Sequence, residues 1–160
     1  MKRIILLAIV TVLTTAVYAQ TEKEDLAIVQ SVFQKQKADL VKQNLQLSDA
    51  QSQVFWPIYE EYEGKRVNLS TQRSAIIADY LKGYDTLTDQ ESDDLANRVF
   101  ANDKSLTDLQ KSYFKKFSKA IGGKNAAKFY QLESYLQAII RVKVQDNIPF
   151  IGELDKTTRQ

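Results

Sequence analysis

Three segments of this chain open with a hydroxyl residue followed three positions later by Glu or Gln: Thr21-Glu22-Lys23-Glu24, Ser48-Asp49-Ala50-Gln51 and Thr88-Asp89-Gln90-Glu91. In such a capping box the hydroxyl accepts a hydrogen bond from a first-turn amide, and the Glu or Gln reaches back to the amide of the capping residue. Three boxes mark three helix starts. The stops are also written in the sequence, at Asn44 to Leu47, at Gly83-Tyr84-Asp85 and at Gly122-Gly123, where glycine, asparagine and aspartate favour leaving the helix. A fourth helix is expected from Lys124 to Asp146, ahead of Pro149. The helices are thus placed at about 21–45, 48–82, 88–121 and 124–146.

Within these segments the apolar residues recur at helical spacing, with none of the alternation of a strand. The second carries Phe55, Ile58, Tyr62, Leu69, Ile76 and Tyr80; the third Leu95, Val99, Leu106, Leu109, Tyr113 and Phe117; the fourth Phe129, Leu132, Leu136 and Ile140. Short loops make sequential neighbours antiparallel, so the expected fold is all-α, an elongated four-helix hairpin or bundle. Pro57 lies inside the second helix, where it cannot donate to the Gln53 carbonyl and its ring crowds that turn, so a bend is expected.

Charges interrupt the stripes. Arg66 and Arg73 share a face with Tyr62, Leu69 and Ile76, Asp103 breaks the third stripe, and Glu133 follows Leu132. A buried charge needs a partner, so Arg66, Arg73, Asp103 and Glu133 are expected to form a cross-helix polar cluster. The alternative is a half-open stripe with solvated arginines.

The N-terminus opens with Lys2-Arg3, continues without a charge from Ile4 to Val17 and reaches Val17-Tyr18-Ala19. This is the pattern of a secretory signal peptide, residues 1–19, cleaved after Ala19. An uncleaved anchor is the rival reading, but the apolar run falls short of the roughly 20 residues needed to span a bilayer. The rest is expected to be one helical domain, 20–146, and an irregular tail, 147–160. In that tail Ile148-Pro149-Phe150-Ile151 docks back on the bundle and Glu153 to Gln160 frays. Two of the 22 basic residues lie in the leader and none of the 20 acidic ones does, so the exported chain is neutral. A neutral chain gives no general attraction for nucleic acid. It also has no cysteine, so packing alone must hold it together.

Histidine is absent, Met1 is the only methionine, and none of the five glycines sits in a phosphate-binding pattern. The usual general base and the soft metal ligands are therefore missing. Glu60-Glu61 and Asp93-Asp94 are adjacent, and helix neighbours point about 100° apart, too far to converge on one substrate. No catalytic residue, cofactor or metal is expected, and the chain reads as a non-enzyme.

Two groups could serve a partner. Phe55, Trp56, Tyr59 and Tyr62 wrap more than one face of the second helix, so they either pack in the core or offer one face outward. Lys115, Lys116 and Lys119 belong to a basic cluster, with Lys111, Lys124 and Lys128, at the end of the third helix. That cluster could attract acidic clients or an anionic membrane surface, although the helix macrodipole alone favours cations there.

The exported, cysteine-free helical layout with Leu47-Ser48-Asp49-Ala50-Gln51 at a helix start resembles the Spy/CpxP group of small bacterial periplasmic proteins, whose signature is a repeated Leu-Thr-x-x-Gln. The resemblance places the motif on Leu47, Ser48 and Gln51. It implies a bent helical hairpin that pairs into a cradle-shaped homodimer, acts in envelope stress and holds unfolded proteins without ATP. Phe55-Trp56-Pro57-Ile58-Tyr59 and Lys128-Phe129-Tyr130-Gln131-Leu132-Glu133 also look like segments of other exported bacterial proteins of this build. The chain departs from the group at Ile121-Gly122-Gly123-Lys124-Asn125, where the second motif copy is expected. Leu106-Thr107-Asp108-Leu109-Gln110 fits the letters but falls inside the third helix. Metal sensing, which in that group relies on His and Met, is not carried over. The expected function is a chaperone-like periplasmic binding protein for unfolded or envelope proteins; the alternative is a module, inhibitor or sensor subunit docking on one envelope partner.

Overall fold

The computed structural model describes residues 35–149. The leader, the first capping box at Thr21 and the tail from Phe150 to Gln160 lie outside the described residues. The chain divides into two compact units, one up to Gln46 and one from Leu47 onward, inside the stretch expected as one domain. The described part is all-α, with four helices and no strand.

Of the first unit, residues 35–45 form a helix, α1. It ends at Gln46, which takes a positive φ of 50°, a left-handed conformation that stops a helix.

The second unit holds α2 (Asp49–Leu81), α3 (Asp89–Ile121) and α4 (Gly123–Asp146). The starts of α2 and α3 are set by the expected boxes. Ser48 and Thr88 are the capping residues, and each accepts from the amide three positions on, while Gln51 and Glu91 return the bond. α2 and α3 are 33 residues each, about 50 Å long at 1.5 Å per residue. α2 continues unbroken through Pro57.

α3 runs back along α2, and α4 turns back along α3 after a single residue, Gly122. Gly122 has φ 84° and ψ 152°, a region that side chains rarely tolerate. Gly123, expected to be part of the stop, is already the first residue of α4.

The core is densest beside this corner. Phe55, Tyr59 and Tyr62 of α2, Tyr113 and Phe117 of α3, and Phe129 of α4 are all buried. Phe129 joins the three helices, with ring centroids 4.7 Å from Phe117, 5.6 Å from Phe55 and 6.0 Å from Tyr62. Offset and edge-on pairs of this kind add about 0.5–1.5 kcal/mol each beyond area burial.

Candidate functional site

Beginning at the corner, Gln51 does two jobs. Its Oε1 accepts from the Ser48 amide at 3.1 Å, and its Nε2 donates across the bundle to the Ile121 carbonyl at 3.2 Å. Asn125 Nδ2 donates to the same carbonyl, also at 3.2 Å. A carbonyl left over at the end of α3 thereby gains two side-chain donors. Of the motif-like residues, Ser48 and Gln51 build this corner; Leu47 is half-buried.

One layer further on, the four charges expected to cluster separate into two groups. Arg66 and Glu133 are buried at 5% and 1% exposure, and their closest N–O distance is 4.0 Å. The main partner of Arg66 is Glu63 on its own helix, at 2.9–3.1 Å through both Nε and NH2. Glu133 Oε1 accepts from the Tyr62 hydroxyl at 2.9 Å and from Gln137 Nε2 at 3.1 Å. Burial opposes the charge of Arg66, yet Glu63 and then Glu133 more than offset it and hold its pKa above the usual value. Burial, followed by the nearby Glu133 carboxylate, pushes the Tyr62 phenol far above its usual range.

Arg73 and Asp103 form the second group. Asp103 Oδ1 accepts from Arg73 NH1 at 3.0 Å and also from Arg141 NH2 at 2.9 Å. Both arginines expected on the α2 stripe are therefore paired, but Glu63 and Arg141 were not foreseen. Glu63 closes the run Glu60-Glu61-Tyr62-Glu63. Its signal was the i,i+3 spacing to Arg66 on the stripe of Phe55, Tyr59 and Tyr62.

The candidate partner-binding aromatics need correction. Phe55, Tyr59 and Tyr62 are 0%, 5% and 1% exposed, so they are core and offer no surface. Trp56 is half-buried, edge-on to Phe55 and Tyr59 at 5.2 Å. The reason is Phe129, which α4 brings against the face that α2 and α3 would otherwise leave open. Lys115 and Lys119 remain exposed. Lys116 is engaged at the α2–α3 contact, 3.1 Å from Glu61 Oε2 and 4.3 Å above the Tyr113 ring. Its hydrogen bond to Glu61 raises its pKa.

The apolar surface lies elsewhere. Tyr135, Ile139 and Val142, at positions i, i+4 and i+7 of α4, are exposed, Tyr135 at 63% and Val142 at 59%. Nearer the corner Tyr130 and Phe114, also exposed, meet edge-on at 6.4 Å. The core stripe of α4, at Phe129, Leu132, Leu136 and Ile140, accounts for the obvious helical period, and this second face was not read from it.

At the far end, where α4 stops short of the α2–α3 turn, a cavity of about 400 Å³ opens among the three helices. Ile76, Ile77, Leu87, Leu95 and Val99 wall it, with Arg73 at its inner end. Ile148 and Pro149 border it, and the Tyr80 hydroxyl donates to the Pro149 carbonyl at 2.7 Å.

Among the described residues no three carboxylates converge as a metal-binding group, and no helix is long and apolar enough to cross a membrane. Comparison with known proteins gave no match: no family model, no curated protein and no solved structure matches this chain.

Proposed function

We propose that this chain is an exported, non-enzymatic binding protein of the Spy/CpxP kind, a periplasmic chaperone or envelope-stress accessory that holds exposed apolar segments of other proteins without ATP. The observation that carries this reading is the exposed apolar face of α4, Tyr135, Ile139 and Val142. Apolar side chains at i, i+4 and i+7 on a solvent face form the pattern by which a helix engages another polypeptide, and contiguous exposed apolar surface marks interaction sites. The exposed Lys115 and Lys119 on α3 add long-range attraction for acidic clients. Arg66 and Glu133, which would be the most unusual ionisable groups for chemistry, are buried behind the aromatic layer.

The test is suppression of light scattering by a chemically denatured client diluted into buffer with the chain. The wild type is expected to slow aggregation, and Tyr135→Glu with Val142→Glu is expected to abolish the effect without changing thermal unfolding. Undiminished activity in the double variant would remove the α4 face from the reading. The same face also suits docking on one envelope protein; recovery of a single tight partner, with no effect on denatured clients, would favour that alternative.

A further inference from the structure

We propose that the cavity at the far end of the bundle binds an amphiphile made of one apolar chain and a carboxylate head. This site is separate from the α4 face and does not depend on the reading above. Its volume, about 400 Å³, lies in the range of small-molecule pockets, roughly 300–1,000 Å³, and is too small for a helix. The walls are aliphatic: Ile76, Ile77, Leu87, Leu95 and Val99. They suit a flexible hydrocarbon chain, which gains by leaving water.

The head group follows from the charges at the inner end. Among the residues that line the cavity, Arg73 alone carries a charge. Arg73 also lines a smaller adjoining cavity of about 140 Å³, together with Asp103 and Arg141. There a single carboxylate, Asp103, serves two guanidinium groups at 3.0 and 2.9 Å, which leaves an excess of positive charge. A guanidinium has five N–H donors, and NH1 of Arg73 supplies the one bond to Asp103. The remaining donors can take a carboxylate in the forked geometry that arginine favours. The acidic groups at the start of α3 do not cancel this field from within the cavity. Glu91 and Asp94 line an adjoining surface hollow, which shares only Leu87 and Leu95 with the cavity and in which Arg98 stands beside them and Asp79.

The experiment is isothermal titration calorimetry of the purified chain with dodecanoate below its micelle concentration, alongside dodecyltrimethylammonium of the same chain length. Dodecanoate is expected to bind at one site and about tenfold more tightly than the cation, the scale of one charged hydrogen-bond pair. Val99→Phe, which fills the cavity, is expected to weaken dodecanoate by at least about tenfold. Arg73→Gln is expected to erase the preference for the carboxylate while chain binding persists. Thermal unfolding of both variants establishes that they are folded. Equal affinity for the two head groups, or binding unaffected by Val99→Phe in a folded variant, would overturn the proposal. So would binding seen only after truncation behind Pro149, because the chain's own C-terminal residues would then be the occupant.

Discussion

Arg66 and Arg73 are two turns apart on one face of α2, and their surroundings give them different weights. Arg66 is 5% exposed and held by Glu63, with Glu133 beyond it. Arg73 keeps 21% of its side chain in solvent. Removing one member of a buried ion pair strands the other, at about 3–5 kcal/mol, whereas a pair open to water contributes about 1 kcal/mol or less. Urea denaturation is therefore expected to show Arg66→Ala as severe and Arg73→Ala as mild. Tyr59 supplies a second contrast. Its hydroxyl is buried without a hydrogen-bond partner among the described residues, and burial drives its pKa far above 10.0, with Glu63 adding to the effect. Replacing it by Phe removes a desolvated polar group, so Tyr59→Phe is expected to raise stability at neutral pH by about 1 kcal/mol. The sign of the pH dependence follows from the raised value. The folded phenol stays protonated while the unfolded one ionises above about pH 10, so stability is full below that pH and falls as pH rises. Each such tyrosine contributes about 1.4 kcal/mol per pH unit there, and Tyr62 shares the behaviour. In urea titrations between pH 9 and 11, Tyr59→Phe is expected to show a shallower tyrosine-dependent slope, with Tyr62 and Tyr80, whose pKa burial also raises, carrying the remainder. The charges on the α2 stripe could be read from spacing alone. The division of labour between them could not, because it depends on Glu63 turning inward and on Arg141 arriving from a helix 38 positions away in sequence from Asp103.

At the scale of elements, the helix starts were the most legible feature. A capping box is a local device, complete within four residues, and Ser48 and Thr88 form the boxes their sequences specify. The α3–α4 corner was legible as a stop, but its tightness was not. One residue makes the turn, and it does so at φ 84° and ψ 152°, outside the left-handed helical well that Asn or Asp can also occupy. A Cβ added at Gly122 would meet nothing within 4 Å. The cost of Gly122→Ala is therefore pure backbone strain, expected at about 1–3 kcal/mol by chemical denaturation, and Gly122→Asn should be no better tolerated. Sequence periodicity missed the exposed face of α4 for a different reason. When a helix is apolar on two faces, spacing identifies the stripes but not which one another helix will cover, and only the tertiary position of Phe129 decides that.

At the scale of the whole molecule, the unit from Leu47 onward is layered from the corner outward: first Gln51 and Ile121, then six buried aromatic residues, then Arg66 and Glu133, then the arginines around Asp103. Last come the cavity and the turn between α2 and α3. Burial falls along that order, since Ile76 is the one buried apolar residue of α2 beyond Arg66, and Leu95 and Val99 are only half-buried. Such a unit does not resist opening equally everywhere, because regions with few buried apolar contacts open at a fraction of the global free energy. Native-state hydrogen exchange is expected to show the last two turns of α2 and the first two of α3 exchanging through small local openings. Amides around Tyr113 to Ile121 and Ala126 to Glu133 should exchange only with global unfolding. Uniform protection along α2 and α3 would contradict this gradient. The short reach of α4 thus separates two thermal regimes within one fold: the α2–α3 turn is free to open locally while the aromatic end stays closed.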